Sequence, residues 1–241
     1  DNGITPISVD GIDRWPVQRY IAMMPFRMTG NEYIISLRDG KASMGDETGR
    51  QAVEFLQEIG QYFNEGFGAT DYATAQSMFL DGKSAMYYIG DWEQAAMLDA
   101  YNAGKVDYFY LPTAEGAKTG ANEFCVNSGI GMAFNTQTFD AKTKDFIKYV
   151  IENYGKIYAG RMQMSPIKTE LPEDIQFTDL YLRIREDMEK TGKNFLKPWD
   201  TYLDVDTNTV MQDNMLLLAA GDMTVDDFIK IVDDAIASNV K

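Results

Sequence analysis

The chain has 241 residues, 45% of them hydrophobic and 24% charged, and 37 acidic against 22 basic side chains give a net charge of −15. This is ordinary globular composition for one large or two small domains. The acidic balance argues against nucleic acid and anionic lipid as partners, which need clustered Lys and Arg. A single cysteine, Cys125, and no histidine exclude an internal disulfide, a Ser-His-Asp triad and the commonest zinc ligands.

The opening, DNGITPISVDG, reads as turn and strand chemistry, with Asn2-Gly3 expected to close a helix that lies outside this sequence. Residues 4–9 (ITPISV) form a β-prone run between Gly3 and Gly11. Pro16 opens an apolar stretch expected to be helical over 16–24. The clearest helix is 48–64, with Ala52, Phe55, Leu56, Ile59 and Phe63 on one stripe and Gly66 as its stop. A helix over 72–80, a strand over 84–89 and a helix over 93–101 follow, then strands over 106–111 and 130–134. Further helices are predicted over 140–154, 178–190 and 208–220, the last ending at Gly221. Thr224 and Asp227 form a variant capping box that starts the final helix, with Phe228, Ile231, Val232, Ala235 and Ile236 on its buried face. Short strands alternating with helices in the first half predict an α/β layer fold. No run of eighteen apolar residues is present.

Six segments in order carry a resemblance. FLDGKSAMYYIGDW (79–92) resembles the F-x-x-G-K-x-A-M, strand, G-x-W pattern of sugar-type extracellular solute-binding proteins, the group that includes maltose-binding protein. GITPISV with RWPVQ, VDYFYLPTAEG, NSGIGMAFN, the helix over 140–154 and LLLAAGDMTVDDFIKIVDDA match further family segments. Two features depart from the family: NTQTFD replaces its usual K-N after the crossing strand, and the segment that builds most of the first lobe is absent. The resemblance implies a two-lobed fold of the periplasmic-binding-protein-like II type, here mainly its second lobe with a small part of the first. It places 1–128 in the second lobe, 129–160 as a strand-helix excursion into the first, and 161–241 as a helical completion of the second.

Sugars present flat C–H faces and rims of hydroxyls, so a sugar site wants open aromatic rings beside carboxylates, amides or Arg. Trp92 is the first candidate, just beyond a strand end where open α/β sheets bind ligands, with Asp91 as its polar neighbour or a helix N-cap. Trp15 in the W-P motif, flanked by Arg14 and Gln18, and Trp199 and Tyr202 in KPWDTY are the others; core packing competes for the rings and plain solvation for Arg14 and Gln18. The three tryptophans are expected toward one face, at least one of them partly exposed. Asp204, Asp206 and Asn208 imitate the start of an EF-hand loop, but Thr209 stands where Gly is needed and Met215 where Glu is needed, so no metal is expected.

The resemblance thus implies a non-enzymatic binding subunit of an ABC importer. It would take a small-molecule carbohydrate in a cleft between lobes and deliver it to the permease transmembrane subunits. No cofactor, no nucleic acid and no direct membrane insertion are expected. The implied location is extracellular, as a cell-surface lipoprotein or in the periplasm. A carbohydrate hydrolase working through two carboxylates, or a solute-binding fold serving sensing or adhesion, is the alternative, although among 37 acidic residues pairs such as Glu173-Asp174 arise by chance.

Overall fold

The computed structural model describes residues 3–113, 115–126, 131–165, 170–190 and 195–239. Asn2 and Ile130 lie outside them, and with them part of the expected opening turn and of the strand over 130–134. The chain forms a helix-rich α/β structure of two compact units. Unit 1 comprises Asp1–Ile89, Phe109–Val126 and Thr191–Lys241; unit 2 comprises Gly90–Tyr108 and Asn127–Lys190. The expected excursion 129–160 falls in unit 2, which also takes in 90–108 and 161–190.

Unit 1 is built around two parallel strands, β1 (Thr5–Ser8) and β2 (Ser84–Tyr87), in register Thr5↔Ser84, Ile7↔Met86 and Ser8↔Tyr87. On its other side β1 meets Phe63 through a single parallel bridge to Ile7. Asn64 secures the strand end: its Oδ1 accepts from Val9 N–H at 2.8 Å and its amide donates to Thr70 Oγ1 at 2.8 Å. Helices α1 (Trp15–Thr29), α2 (Glu32–Arg38), α3 (Glu47–Gly60) and α4 (Tyr72–Leu80) come from the first segment, and α8 (Trp199–Tyr202), α9 (Val205–Ala220) and α10 (Val225–Asn239) from the last.

The core forms where α1, α3, α9 and α10 meet. Val17, Ile21, Ala52, Leu56, Met211, Met215, Leu218, Phe228 and Val232 are all fully buried there. Of the predicted stripe of α3, Ala52 and Leu56 are buried in this core and Phe55 and Ile59 pack partly buried against it, while Val53, outside the stripe, is buried as well. Gly60 ends α3 against the Ala219 backbone, where an added Cβ would lie 2.1 Å from the carbonyl oxygen. Such an approach admits only glycine. Capping follows the sequence signals. Thr224 Oγ1 accepts from Asp227 N–H at 3.1 Å and donates to the Asp227 carboxylate at 2.7 Å. Gly221 closes α9 in the left-handed conformation.

One buried cation organises the return of the chain to unit 1. Arg27 on α1 donates to the carbonyls of Leu111, Gly120 and Glu123 at 2.8, 2.6 and 2.7 Å, and to Thr119 Oγ1 at 3.2 Å. A planar fork with several donors can satisfy several loop carbonyls at once. Burial pulls its pKa down, and Glu123 and Tyr88 oppose that shift.

Unit 2 contains α5 (Gln94–Asn102), α6 (Ala141–Gly160) and α7 (Asp179–Glu189). Asp140 caps α6 by accepting from Thr143 N–H at 2.8 Å, and Thr178 caps α7 by accepting from Tyr181 N–H at 3.2 Å. Arg183 of α7 bonds Asp107 at 2.7 Å and lies over the Tyr108 ring, whose hydroxyl donates to Asp187 at 2.6 Å.

Several predicted elements are corrected. Residues 106–111 form no strand: Phe109 is 68% exposed, Tyr110 stacks on Phe124, and the run crosses from unit 2 into unit 1. Residues 131–134 form no strand either. Helix α1 runs five residues past its expected end, through Pro25, and α3 stops at Gly60 rather than near Gly66. Helix α2 was not anticipated.

Candidate functional site

The turn after β2 carries the first group of candidate residues, all within unit 2. Gly90 leads into a 3-10 turn, Asp91–Glu93, which continues directly into α5. The Trp92 ring folds back over Gly90, where a Cβ would lie 2.1 Å from a ring carbon. The ring remains 43% exposed. Asp91 is half-buried, and burial pushes its carboxyl above the ordinary range, only partly opposed by its own backbone N–H and that of Met164. Asp91 opens the 3-10 turn, and the N-cap position belongs to Gly90. Glu93 and Gln94, the next two residues, are buried.

The start of α1 carries the second group, in unit 1. Arg14 adopts φ 64°, ψ −43°, a costly conformation for a residue with a side chain, and ion-pairs with Asp213 on α9. Trp15 is half-buried, with the Arg19 guanidinium 5.6 Å from its ring centre. Arg19 is itself buried, pairs with Asp200 on α8 at 3.1 Å, and donates to Cys125 Sγ at 3.6 Å. Burial raises the Cys125 thiol pKa, Arg19 lowers it and Asp200 raises it further. Gln18, expected to be solvated, is 1% exposed. Its amide donates to Asn208 Oδ1 and its carbonyl accepts from Gln212 Nε2, each at 2.8 Å.

The α8 aromatics behave differently from each other. Trp199 is 1% exposed and packs beside Tyr33, ring centres 6.2 Å apart. The expectation that its ring faces a ligand is therefore corrected: α8 tucks this large apolar surface into the core. Tyr202 is half-buried, with Arg38 and Lys197 cations 4.6 and 4.7 Å from its ring centre. Beyond it, Asp204 caps α9 by accepting from Thr207 N–H at 2.9 Å, while Asn208 is held by Gln18.

Unit 1 thus brings Trp15 next to α8 through Arg19, while Asp91 and Trp92 stand together in unit 2. Arg19, Gln94 and Asp10 are buried polar residues that no sequence motif marks. Asp10, just past β1, is 1% exposed; its Oδ1 accepts from Asp13 N–H at 3.0 Å. Burial is the main cause of its raised pKa. The only sequence signal for Arg19 is its place one helical turn after Trp15.

A family model described as bacterial extracellular solute-binding protein matches residues 8–180. An uncharacterized ABC transporter extracellular-binding protein of Pyrococcus horikoshii is 25% identical over 116 residues, 48% of this chain and 26% of that protein. A probable sugar-binding periplasmic protein of Brucella suis is 27% identical over 79 residues, 32% of this chain and 19% of that one. In fold, the chain is similar to a chitin oligosaccharide binding protein with a TM-score of 0.79 at 20% identity, covering 97% of this chain and 61% of the other. The matched segments thus span about a quarter or less of the curated relatives, and under two thirds of the solved structure.

Proposed function

The chain belongs to the bacterial extracellular solute-binding proteins, and from that premise we propose that it is the ligand-binding part of an ABC importer for a carbohydrate. It takes the sugar in a cleft between the two lobes of the complete fold and delivers it to the permease transmembrane subunits, without chemical conversion. The observation that carries the reading is Trp92: a large ring left 43% exposed beside the half-buried Asp91 carboxyl, just beyond the end of β2. An open indole matches the C–H face of a pyranose, and an adjacent carboxylate accepts from its hydroxyls. Trp15, Arg14 and Tyr202 are proposed as further ligand contacts. The sugar-binding descriptions of relatives and of the structural neighbour support the ligand class.

The same reading places the protein outside the cytoplasm, lipid-anchored or in the periplasm, and assigns 129–160 to the first lobe. What supports that assignment is α6, whose Phe146, Tyr149 and Ile157 stand exposed on one side, an apolar face of the kind that marks a contact surface. Isothermal titration of the protein at its natural length against a panel of neutral oligosaccharides tests the proposal, with chromatography of each mixture afterwards. Saturable heat with unchanged sugar is expected. No binding across the panel, or shortened products, would overturn it.

A further inference from the structure

Two glutamines of this chain are buried to almost the same degree and differ in what they meet. Gln18 is 1% exposed, and both ends of its carboxamide are bonded, to Asn208 and Gln212. Gln94 is 5% exposed, and neither its Oε1 nor its Nε2 has a hydrogen-bond partner among the described residues. Folded proteins leave few such groups, because a buried amide without partners forfeits its bonds to water. An apolar side chain would fill the same space without that cost. The residue stands at the first position of α5, two residues after the partly exposed Trp92 and three after Asp91.

We propose that Gln94 is a specificity-determining residue of the binding site, its carboxamide held unbonded for the ligand. This rests on the carbohydrate reading above and deepens it. A carboxamide offers a donor and an acceptor side by side in one plane. Its complement is a group with an acceptor beside a donor, which a neutral sugar supplies as a vicinal hydroxyl pair or as an acetamido substituent. Acidic sugars are disfavoured by the neighbouring Asp91 and Glu93 carboxylates. Both amide atoms are closed to water, so the sugar reaches them by a local shift of the turn that carries Trp92. A site built to bond a ligand group discriminates strongly against analogues lacking it, because the buried partner is then left unmatched.

The test is Gln94→Met, unbranched and of similar length, in the protein at its natural length. Titration against xylotriose and chitotriose is combined with thermal melting of the unliganded protein. A melting temperature equal to or above wild type, with affinity weakened about tenfold or more, supports the proposal. A loss seen with both sugars identifies a hydroxyl pair as the group read; a loss confined to chitotriose identifies the acetamido group. Unchanged affinity for every sugar that wild type binds overturns the role of Gln94 and leaves the carbohydrate reading standing. A melting temperature several degrees lower shows that the amide is bonded within the protein and also overturns it. If wild type binds neither sugar nor any of the wider panel, the carbohydrate reading fails and this proposal falls with it.

Discussion

Arg19 and Asp200 form a 3.1 Å ion pair with both side chains largely withdrawn from water, joining α1 to α8 across 181 positions of sequence. Removing one partner would strand the other charge in a poorly solvated place, a loss of about 3 kcal/mol. Asp200→Ala should therefore lower the urea midpoint substantially. Replacing both partners with apolar residues, Arg19→Met with Asp200→Leu, should recover most of the loss, since the pair's net worth is small. A double variant as unstable as the single one would mean that Asp200 acts through packing rather than charge.

The junction of α3 with α9 depends on Gly60. In an isolated helix, alanine would gain about 1 kcal/mol over glycine. Here its Cβ would lie 2.1 Å from the Ala219 carbonyl oxygen, a backbone atom without a flexible side chain's freedom to move aside. The clash outweighs the propensity gain, so Gly60→Ala should destabilise unit 1 by about 2 kcal/mol. Chemical denaturation would measure it, and a more stable variant would show that the two helices separate freely.

Amphipathic stripes were the legible part of this fold. The stripes of α3 and α10, the proline start of α1 and the Thr224–Asp227 cap all follow from local spacing. Helix α2 escaped because its buried Tyr33, Ile34 and Leu37 fill barely two turns. The expected end of α1 fell at Met24, yet the helix carries Pro25 in its interior and closes with Thr29 Oγ1 donating to the Pro25 carbonyl at 2.7 Å. The strand expected over 106–111 had β-prone composition but no ladder partner among the described residues, and composition does not supply one. Within the candidate site, Trp92 was legible as a glycine-flanked aromatic beyond a strand. The burial of Gln18, Arg19 and Trp199 was not, because their packing and bonding are set by segments more than 150 positions away.

Asp91 should make stability depend on pH. Burial raises its carboxyl pKa in the folded protein, and backbone N–H groups only partly reverse this. Between the unfolded value and the higher folded value, the folded state holds more protons than the unfolded one. Stability then falls as pH rises through that window, and the contribution is largest below it. Asp91→Asn keeps the shape without the titration. The stability difference between variant and wild type should grow in favour of Asn as pH rises from about 4 to about 7. Parallel profiles from urea melts would show that Asp91 titrates alike in both states.

Trp92 provides the sharpest test of the proposed site, because two variants can disturb it in different ways. Trp92→Ala deletes a ring that is 43% exposed, so its cost to folding should be modest. If the ring stacks on a sugar, the loss in binding should be about 1–3 kcal/mol, by analogy with aromatic stacking on bases. Gly90→Ala leaves the ring in place chemically but puts a Cβ where the ring now lies, 2.1 Å from one of its carbons. That substitution should swing the indole away and weaken sugar binding in the same direction, with Trp fluorescence reporting the move. Titration calorimetry against a bound oligosaccharide, with thermal melts as control, separates the outcomes. Weakened binding in both variants with little change in melting temperature ties affinity to the ring and its pose. Unchanged affinity in both would make Trp92 a surface residue without a ligand. A collapsed melting temperature in Trp92→Ala would make it a packing residue whose exposed edge is incidental.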